Sequence, residues 1–497
     1  MGFSGKTGGA PTVGVNIGSS LIKVVEARPG KDGVQIMALG VAPTPPGTIE
    51  NEVVIDPQTL GQAVRQLLSE SGISCKRCVS SVSGQSSVVV RIIEVPKMTK
   101  QELAETMKWE VERHVPFAAN EVVMDFQPIE RQTALADAQN MEVLLAVAQQ
   151  EVINSHVETI LAAGLNPVVV DVEPLAICRA LIDASKNGDR EGTVAILNIG
   201  AAVTDMGVYQ NGLLAFPRTL PIAGDAITRA LSDGLNIPIA QAERLKRERA
   251  VVLLERADAL APSMGFPGPQ SVNERGAPDA TVGMAAAPAG EAADDDLGFI
   301  PGLGFGFGQE TETPAPAESS ASDFDIDIGG GPVPAMDFDL SGADAAPVSA
   351  PGSKLELSEP GVSDAQPAAL PTLADSGGVV VGDGVSDAEL AAFTDEQIFD
   401  AMGPMLQDLI VEIRRSLEYY ASRFQSQPDK ILLCGGTSRM KDLDKLLEAE
   451  LGIPVVARNP LDNVTVHSKA LSQEYLDEVA FLFPVGIGLA IRDMIGD

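Results

Sequence analysis

Two segments of the sequence repeat one pattern, in which an asparagine is followed by a glycine and small residues. They read Val15-Asn-Ile-Gly-Ser-Ser20 and Leu197-Asn-Ile-Gly-Ala-Ala202, with Asn16 and Asn198 at the same place in each. Each segment is predicted to end one strand, turn tightly and begin another, which exposes successive backbone N–H groups that can cradle a phosphate. Either hairpin alone is more typical of an ordinary β-hairpin. Together they indicate a phosphate cleft with one hairpin on each wall.

A third segment, Ile431-Leu-Leu-Cys-Gly-Gly-Thr-Ser438, is an apolar run that ends in two glycines and small hydroxyl residues. The glycines would permit close approach of a flat ligand. A helix predicted over Lys441 to Leu451 would present its positive N-terminus to that ligand. Taken alone, the segment is equally consistent with a plain turn between a strand and a helix.

Other candidate chemistry is weaker. The pair Cys75-Lys-Arg-Cys78 has redox or zinc spacing but lacks a second pair, so two incidental thiols are the better interpretation. With Cys178 and Cys434 the chain has four cysteines, too few for a disulfide framework, and a reducing cytoplasm fits best. We expect no signal peptide, and the longest apolar run, Val479 to Ile491, is too short and too interrupted to span a bilayer.

The charge is unevenly distributed along the 497 residues. The formal net charge is −34, with 69 acidic and 35 basic residues, and residues 261–390 contain only two of the basic ones. Neither this segment nor the remainder has the basic surface that nucleic acid or anionic lipid requires, so we expect no nucleic-acid partner and no direct membrane insertion. Residues 261–390 are also rich in glycine and proline, which predicts a disordered insertion.

Outside the insertion, predicted strands and helices alternate, which favours an α/β class with layered sheets. Asn211-Gly212 predicts a type I′ hairpin turn, and Thr99-Lys-Gln-Glu102 predicts a capping box that opens a helix to His114. The predicted strands are Thr12 to Asn16, Leu21 to Arg28, Gln35 to Ala42, Cys78 to Ser83, Ser87 to Val95, Glu142 to Ala148, Pro167 to Val172, Thr193 to Asn198, Thr204 to Tyr209, Leu213 to Thr219 and Lys430 to Cys434. The further predicted helices are Pro57 to Ser71, Glu151 to Ala163, Pro174 to Ala184, Ile222 to Leu235, Ile239 to Asp258 and Asp395 to Gln425.

The three glycine motifs, in this order, resemble the phosphate-1, phosphate-2 and adenosine motifs of the actin-like ATPase superfamily. Within it, the sequence resembles the PilM family of type IV pilus assembly proteins, which are relatives of the cell-division protein FtsA. The resemblance covers residues 12–258 and 395–493. The other segments that resemble this family are Gly18-Ser-Ser-Leu-Ile-Lys-Val-Val-Glu26, Glu110-Val-Glu-Arg-His-Val-Pro-Phe117, Asp171-Val-Glu-Pro174 and Gly486-Ile-Gly-Leu-Ala-Ile-Arg492.

The resemblance implies a two-lobed actin-like, ribonuclease H-like α/β fold with the small extra subdomain of PilM and FtsA. It implies that ATP or ADP binds, with Mg²⁺. The segment Ala242-Glu-Arg-Leu-Lys-Arg247 resembles a helix that touches ribose and adenine in chaperone relatives. The implied phosphate contacts are Gly18, Ser19, Ser20, Lys23, Gly200, Ala201 and Thr204, and the implied base and ribose contacts are Glu243, Lys246, Gly435, Gly436 and Thr437.

One departure from the superfamily bears on the mechanism. Actin-like enzymes place an acid before each phosphate glycine, whereas this chain has the amides Asn16 and Asn198. An amide adds no negative charge and cannot accept a proton as a base, so the metal site and the hydrolytic step are both weakened. Asp205 lies near the second hairpin, but the strand alternation leaves open to which face its side chain projects. We therefore predict nucleotide binding with weak or no hydrolysis, and assign no catalytic or metal-binding residue.

The resemblance also implies a domain plan. The core of the first lobe would comprise residues 12–77 and 151–192, with 78–150 as its inserted small subdomain. The second lobe would comprise 193–258 and 395–478. Residues 259–394 would form the disordered acidic insertion, and 479–497 a C-terminal helix that returns to the first lobe.

The implied function is a cytoplasmic scaffold of type IV pilus or related secretion-system assembly. In PilM proteins the small subdomain helps to bind a short cytoplasmic N-terminal peptide of the inner-membrane protein PilN, which would hold this chain at the inner membrane. On the helix to His114, Leu103, Met107 and Val111 form the core stripe. Trp109, the only tryptophan, lies off this stripe. Packing on a neighbouring subdomain and a role in an interface are equally consistent with its position.

The insertion contains two copies of an acidic-aromatic pattern, Asp323-Phe-Asp-Ile326 and Asp337-Phe-Asp-Leu340. As strands, these would place Phe324 and Phe338 on apolar faces that could add to a partner's sheet edge, such as that of a pilus motor ATPase or platform component. A merely solubilising tract is the alternative. Self-association stays open. Two other functions also stay open, an FtsA-like division protein and an active ATPase or sugar-kinase-type phosphotransferase, although the two amides disfavour the latter.

Overall fold

The computed structural model describes residues 9–31, 33–84, 87–131, 139–257, 386–467 and 471–495. Most of the predicted insertion, including Phe324 and Phe338, lies outside these residues. The strands are β1 (Thr12–Ile17), β2 (Leu21–Gly30), β3 (Gly33–Pro43), β4 (Ile49–Glu50), β5 (Val53–Val54), β6 (Arg77–Val82), β7 (Val88–Pro96), β8 (Val122–Ile129), β9 (Asn140–Gln149), β10 (Asn166–Val172), β11 (Thr193–Ile199), β12 (Thr204–Gln210), β13 (Leu213–Leu220), β14 (Lys430–Cys434), β15 (Val455–Ala457) and β16 (Thr465–Val466). The helices are α1 (Pro57–Glu70), α2 (Lys100–His114), α3 (Gln150–Ala162), α4 (Glu173–Cys178), α5 (Gly224–Leu235), α6 (Ile239–Arg249), α7 (Leu254–Ala257), α8 (Asp387–Ala392), α9 (Asp395–Phe424), α10 (Leu443–Leu451), α11 (Gln473–Val479) and α12 (Pro484–Ala490).

The first large sheet has the strand order β10-β6-β1-β2-β3-β16. Its central strands are apolar on both faces because both faces are covered. Val13 and Val15 point into a core with α1 and α3, whereas Val25 and Val79 belong to a second core that contains α4 and α12. This sheet carries the first predicted phosphate hairpin between β1 and β2.

The second large sheet has the strand order β13-β12-β11-β14-β15. Side chains of α5, α6, α9 and α10 cover one of its faces. The predicted type I′ turn is confirmed, because Asn211 and Gly212 both have positive φ, at 50° and 79°. This sheet carries the second predicted hairpin, between β11 and β12, and the strand that leads to the third glycine motif.

Helices α4 and α12 lie between the two large sheets and pack on both. The helix α12 can approach β1 because glycines face each other there. A Cβ on Gly14 would lie 2.2 Å from the carbonyl oxygen of Gly486, and one on Gly488 would lie 1.7 Å from that of Ala176 on α4. The helix α12 therefore packs directly on β1, and the glycines are the reason it fits.

A small third sheet has the order β7-β9-β8 and is covered on one face by α2. The predicted capping box at Thr99 is present, and Leu103, Met107 and Val111 are buried as predicted. Strand β8 was not predicted from the sequence. Its alternating pattern of half-buried and exposed residues reflects a strand packed on one side only.

Several element boundaries differ from the predictions. Only Glu173–Cys178 of the helix predicted to Ala184 is α-helical, and Arg179–Asp183 form a π-helical turn. The helix predicted over Ile239 to Asp258 is broken into α6 and α7. The capped helix α8 lies within the range predicted as insertion, and β16 joins the first large sheet.

Candidate functional site

The first hairpin places an amide opposite a lysine. In the antiparallel register of β1 and β2, Asn16 pairs with Lys23, and the Lys23 ammonium donates to Asn16 Oδ1 at 2.7 Å. The Gly18 N–H closes the turn by donating to the Leu21 carbonyl at 3.0 Å. Within the part of the chain that the structure describes, the N–H groups left without a protein acceptor in this turn are those of Ser19 and Ser20.

The second hairpin has the same turn but an acid in place of the lysine. Asn198 pairs with Asp205 across β11 and β12, and the Gly200 N–H closes the turn onto the Val203 carbonyl at 3.0 Å. The predicted phosphate residue Thr204 is fully buried and donates its hydroxyl to the Ile222 carbonyl at 2.7 Å, so its side chain anchors the turn. Among the described residues, the N–H groups of Ala201 and Ala202 have no backbone acceptor in this turn.

A buried carboxyl pair joins the two hairpins. Asn16 donates to Glu173 Oε1 at 2.8 Å, and Glu173 is hydrogen-bonded to Asp205. Thr219 on β13 donates to Asp205 Oδ1 at 2.9 Å. The side chains of Lys23, Asn16, Glu173, Asp205 and Thr219 thus form one hydrogen-bonded chain, which we call the relay, between the first and second large sheets.

Burial dominates the electrostatics of the relay. Burial, and then the neighbouring Glu173, raise the pKa of Asp205 to about 8. Burial also raises the pKa of Glu173 above its ordinary value, although Lys23 opposes this effect. Burial lowers the pKa of Lys23. Ionisation of both carboxyls at once is therefore disfavoured, because two adjacent buried carboxylates repel each other.

The third glycine motif packs against the second hairpin. Gly435 has φ 93°, and a Cβ there would lie 2.4 Å from the Ile199 carbonyl oxygen, so the close approach requires glycine. Thr437 donates its hydroxyl to the Gly200 carbonyl at 2.9 Å. The helix predicted over Lys441 to Leu451 is present and begins two residues later than predicted. A short 3₁₀ turn over Gly436–Arg439 comes first, and α10 begins only at Leu443.

The predicted ribose-binding pair lies beside this motif. The Lys246 ammonium contacts the Gly224 carbonyl at 2.9 Å, the Thr228 hydroxyl at 2.7 Å and Glu243 Oε2 at 2.7 Å. Burial alone would raise the pKa of Glu243, but Lys246 and Thr228 hold it below its ordinary value. Gly224 in turn donates its N–H to the Gly200 carbonyl at 3.1 Å. The structure therefore brings the second and third motifs and this pair together.

A separate cavity of about 170 Å³ opens between the small sheet and the two large sheets. Residues from β7, β13 and the ends of β6 and β10 line it, and Asp205 forms part of its wall. The lining residues are Val82, Ser83, Gly84, Val88, Val89, Val90, Arg91, Val172, Pro174, Asp205, Pro217, Arg218 and Thr219.

Trp109 projects from the face of α2 opposite the core stripe. It is 73% exposed, so the interpretation that it packs on a neighbouring subdomain is wrong for the described residues.

The structure agrees with the interpretation that Cys75 and Cys78 are two incidental thiols. Cys78 is buried in β6 and burial raises the pKa of its thiol to about 12, which disfavours the reactive thiolate. The described residues contain no cluster of His, Cys, Asp or Glu suited to a metal ion.

Sequence reasoning missed two parts of this site. In the sequence, Glu173 stood out only as part of the family-like segment Asp171-Val-Glu-Pro174. The side chain of Asp205 was not assigned to either face of its strand. Counting outward from the second glycine turn, which the Gly200 N–H closes onto Val203, gives the register that sets Asp205 opposite Asn198, which was an available signal. Nothing in the sequence alone places Glu173 against both, because α4 reaches them only through tertiary packing.

Comparisons with known proteins identify the family and the fold of the chain. Residues 14–264 match the family described as type IV pilus assembly protein PilM, and residues 195–475 match the cell division protein FtsA. A solved PilM-PilN type IV pilus biogenesis complex has a chain with TM-score 0.63 and 24% identity, which covers 98% of this chain and 99% of that one. The predicted actin-like α/β fold is therefore confirmed.

The curated relatives are more distant. FtsA of Bacillus subtilis (strain 168) is 23% identical over 258 residues, which is 48% of this chain and 57% of that protein. FtsA of Streptococcus pneumoniae (D39) is 22% identical over 253 residues, 47% of this chain and 54% of that protein. The chain thus spans somewhat more than half of the length of these relatives. Among the described residues, no helix is long and apolar enough to cross a membrane.

Proposed function

The chain belongs to the PilM family of type IV pilus assembly proteins, and on this basis we propose that it is a nucleotide-binding scaffold that links an inner-membrane partner to the pilus motor. The observation that carries the nucleotide site is the relay, through which two glycine hairpins from different sheets meet at one buried cluster. The third motif packs on the second hairpin through Thr437. Such an arrangement supplies N–H donors on two sides of a phosphate chain.

In this proposal ATP or ADP binds with its phosphates at the N–H groups of Ser19, Ser20, Ala201 and Ala202. Lys23 supplies the positive charge. The base and ribose lie at Gly435, Gly436 and Thr437, beside Glu243 and Lys246. Lys246 already contacts three protein acceptors, so a ribose hydroxyl would bind there by replacing one of them.

Mg²⁺ accompanies the nucleotide in this proposal and is held mainly through the phosphates and water. The protein side chains would contribute little to Mg²⁺ binding, because Asn16 and Asn198 are amides at positions where related enzymes have acids. Hydrolysis is weak for the same reason. The carboxyls of Glu173 and Asp205 are engaged with each other, with Asn16 and with Thr219, so neither is free to act as a base toward water.

Binding and turnover measured on one preparation test this site. We expect micromolar or tighter ATP affinity with negligible phosphate release. The double substitution Asn16→Asp with Asn198→Asp should raise hydrolysis if the missing charge is the limiting defect. Robust turnover that Asn16→Ala leaves unchanged would contradict the proposal.

The partner proposed is a PilN-type inner-membrane protein, whose short cytoplasmic N-terminal peptide binds between the small subdomain and the first lobe. Two observations support it: the cavity beside β7 and the exposed indole of Trp109 on the same subdomain. This contact would hold the chain at the inner membrane from the cytoplasmic side. Because the chain has one tryptophan, its fluorescence reports on this subdomain without interference. If neither Trp109 emission nor calorimetry responds to the peptide, this part of the proposal is wrong.

A second proposed contact lies outside the described residues. We retain the prediction that Phe324 and Phe338 dock the acidic segment to the motor ATPase or another platform component. Deletion of residues 261–385, which leaves the helix α8 intact, should preserve ATP binding but reduce co-purification with the motor. Phe324→Ala with Phe338→Ala should reproduce most of that loss. Unchanged co-purification of the double variant would reduce the segment to a spacer.

A cell-division function is the second candidate, since residues 195–475 match the FtsA family. The phenotype of a strain that lacks this protein distinguishes the two candidate functions. Loss of pili with normal division is the result expected for the pilus scaffold. Filamentous cells with normal pili would favour the division protein.

A further inference from the structure

Strand β10 is one edge of the first large sheet, where it pairs with β6 alone. Among the described residues no strand pairs with its other edge, so an added strand could bind backbone groups there. Pro167 lacks an N–H group and the register shifts at Val168, which restricts such pairing to the residues that follow. Val168 is 42% exposed. Only Val172, the last residue of the strand, belongs to the cavity lining, so this edge is a separate surface.

The side of this edge toward α3 is apolar. On its far flank α3 packs against α1, where a Cβ on Gly61 would lie 2.5 Å from the Cβ of Ala162. Helical spacing places Ile153, Val157 and Leu161 on the flank turned away from α1. Ile153 packs on a small core that also contains side chains of β10, so this flank borders the strand. Leu161 is 56% exposed there.

The opposite side of the edge is cationic. Strand alternation turns Asp171 of β10 away from α3, where it accepts from Arg179 at 2.7 Å and lies 3.5 Å from Arg492 Nε. Asp493 pairs in turn with Arg492 and with Arg77 of β6. Within this group three arginines face two aspartates, which leaves one positive charge in excess. The buried Nε atoms of Arg77 and Arg492 have no hydrogen-bond acceptor among the described residues.

These two sides define the chemistry of a segment that could bind between them. Successive side chains of a strand project to opposite faces, so apolar residues toward α3 must alternate with acids toward the arginines. The chain itself contains this pattern in Asp323-Phe-Asp-Ile-Asp-Ile328, with three acids and three large apolar residues in strict alternation. The related segment Asp337-Phe-Asp-Leu340 has two of each.

We propose that residues 323–328 of a second copy of the chain add a strand to β10, with Phe324 and Ile326 against the α3 flank and the aspartates toward the arginines. The segment and the edge are different surfaces of one chain. The contact is therefore head-to-tail and joins copies into chains or closed rings. It goes beyond the proposed function, and it leaves residues 337–340 available for the motor.

Two variants of the full chain separate the segment from the edge. Phe324→Ala with Ile326→Ala removes the apolar side chains of the segment, and Val168→Glu places a repelling charge at the edge. In analytical ultracentrifugation at rising protein concentration, the parent should associate and each variant alone should stay monomeric. An equimolar mixture of the two variants should form pairs, because one retains the edge and the other retains the segment. Pairing would also show that both variants are folded.

Matched controls test whether the contact is specific to this edge and this segment. Val456→Glu changes a 39% exposed valine on β15, an edge strand of the second large sheet. This variant, and Phe338→Ala with Leu340→Ala in the shorter segment, should associate like the parent. Added salt should weaken the association of all three, because the arginines and aspartates attract each other across a partly exposed surface.

Hydrogen exchange locates the contact. In the associated parent, the amides of β10 after Val168 should exchange at least about fivefold more slowly than in Val168→Glu. A monomeric parent, a mixture that does not pair, or association without protection of β10 would overturn the inference. Protection that persists unchanged on dilution to monomer would mean binding within one chain, and would overturn it too. The proposed function stands in each of these cases, because neither the nucleotide site nor the membrane partner uses this edge.

Discussion

Replacing Asp205 by asparagine should stabilise the fold at neutral pH. The pKa of this carboxyl is raised from 3.8 to about 8 by burial and by Glu173. A group whose pKa is higher in the folded state than in the unfolded state favours folding while it is protonated. Its ionisation in the unfolded chain then costs stability progressively as the pH rises from about 4 to about 8.

The magnitude follows from the size of the shift. Each pKa unit is worth about 1.36 kcal/mol, so the penalty removed by Asp205→Asn is at most about 4 kcal/mol at pH 7 and about 1.6 kcal/mol at pH 5. An asparagine there can still accept from Thr219 and can donate to Glu173, so the relay keeps its hydrogen bonds.

Urea denaturation at pH 5 and pH 7 measures this effect. We expect a higher midpoint for the variant at both pH values and a clearly larger gain at pH 7. The exposed control Asp233→Asn should show no such pH-dependent gain. If Asp205→Asn destabilises the chain, or its effect is the same at both pH values, the raised pKa assigned to Asp205 is wrong.

Three further outcomes follow from other parts of the fold. His156 is buried on α3 and burial lowers its pKa from 6.5 to about 4, so stability should fall by up to about 3 kcal/mol as the pH drops through that interval. His156→Leu should abolish this loss in acid titrations, whereas the exposed control His467→Gln should not. Gly488→Ala should destabilise by about 3 kcal/mol or more, since the added methyl would overlap the Ala176 carbonyl, and thermal unfolding measures this. Arg131 donates to the Leu214 carbonyl at 2.9 Å and pairs with Glu142, so Arg131→Gln should increase hydrogen exchange in β9 and β13.

The sequence predicts those features of this molecule that depend on local pattern. The hairpin at Asn211-Gly212 and the capping box at Thr99 follow from residue types that a specific backbone geometry requires, and both are present. The buried stripe on α2 follows from helical spacing. These features need no knowledge of distant residues, because their causes lie within a few positions along the chain.

Features that depend on tertiary packing could not be predicted in the same way. The relay needs Glu173, Asn16 and Asp205 to meet from three separate elements, and only the packing of α4 between the sheets brings them together. The 3₁₀ turn over Gly436–Arg439 was not predicted, and it carries Thr437, which reaches the Gly200 carbonyl. Local propensity carries no information about that contact.

A crystal structure of the full chain with ADP or a non-hydrolysable ATP analogue tests the central claim most directly. The account predicts phosphates at the N–H groups of Ser19, Ser20, Ala201 and Ala202, with the Lys23 ammonium moved from Asn16 to a phosphate oxygen. The base should lie at Gly435 and Gly436. A nucleotide bound elsewhere, or phosphates that contact neither hairpin, would contradict it.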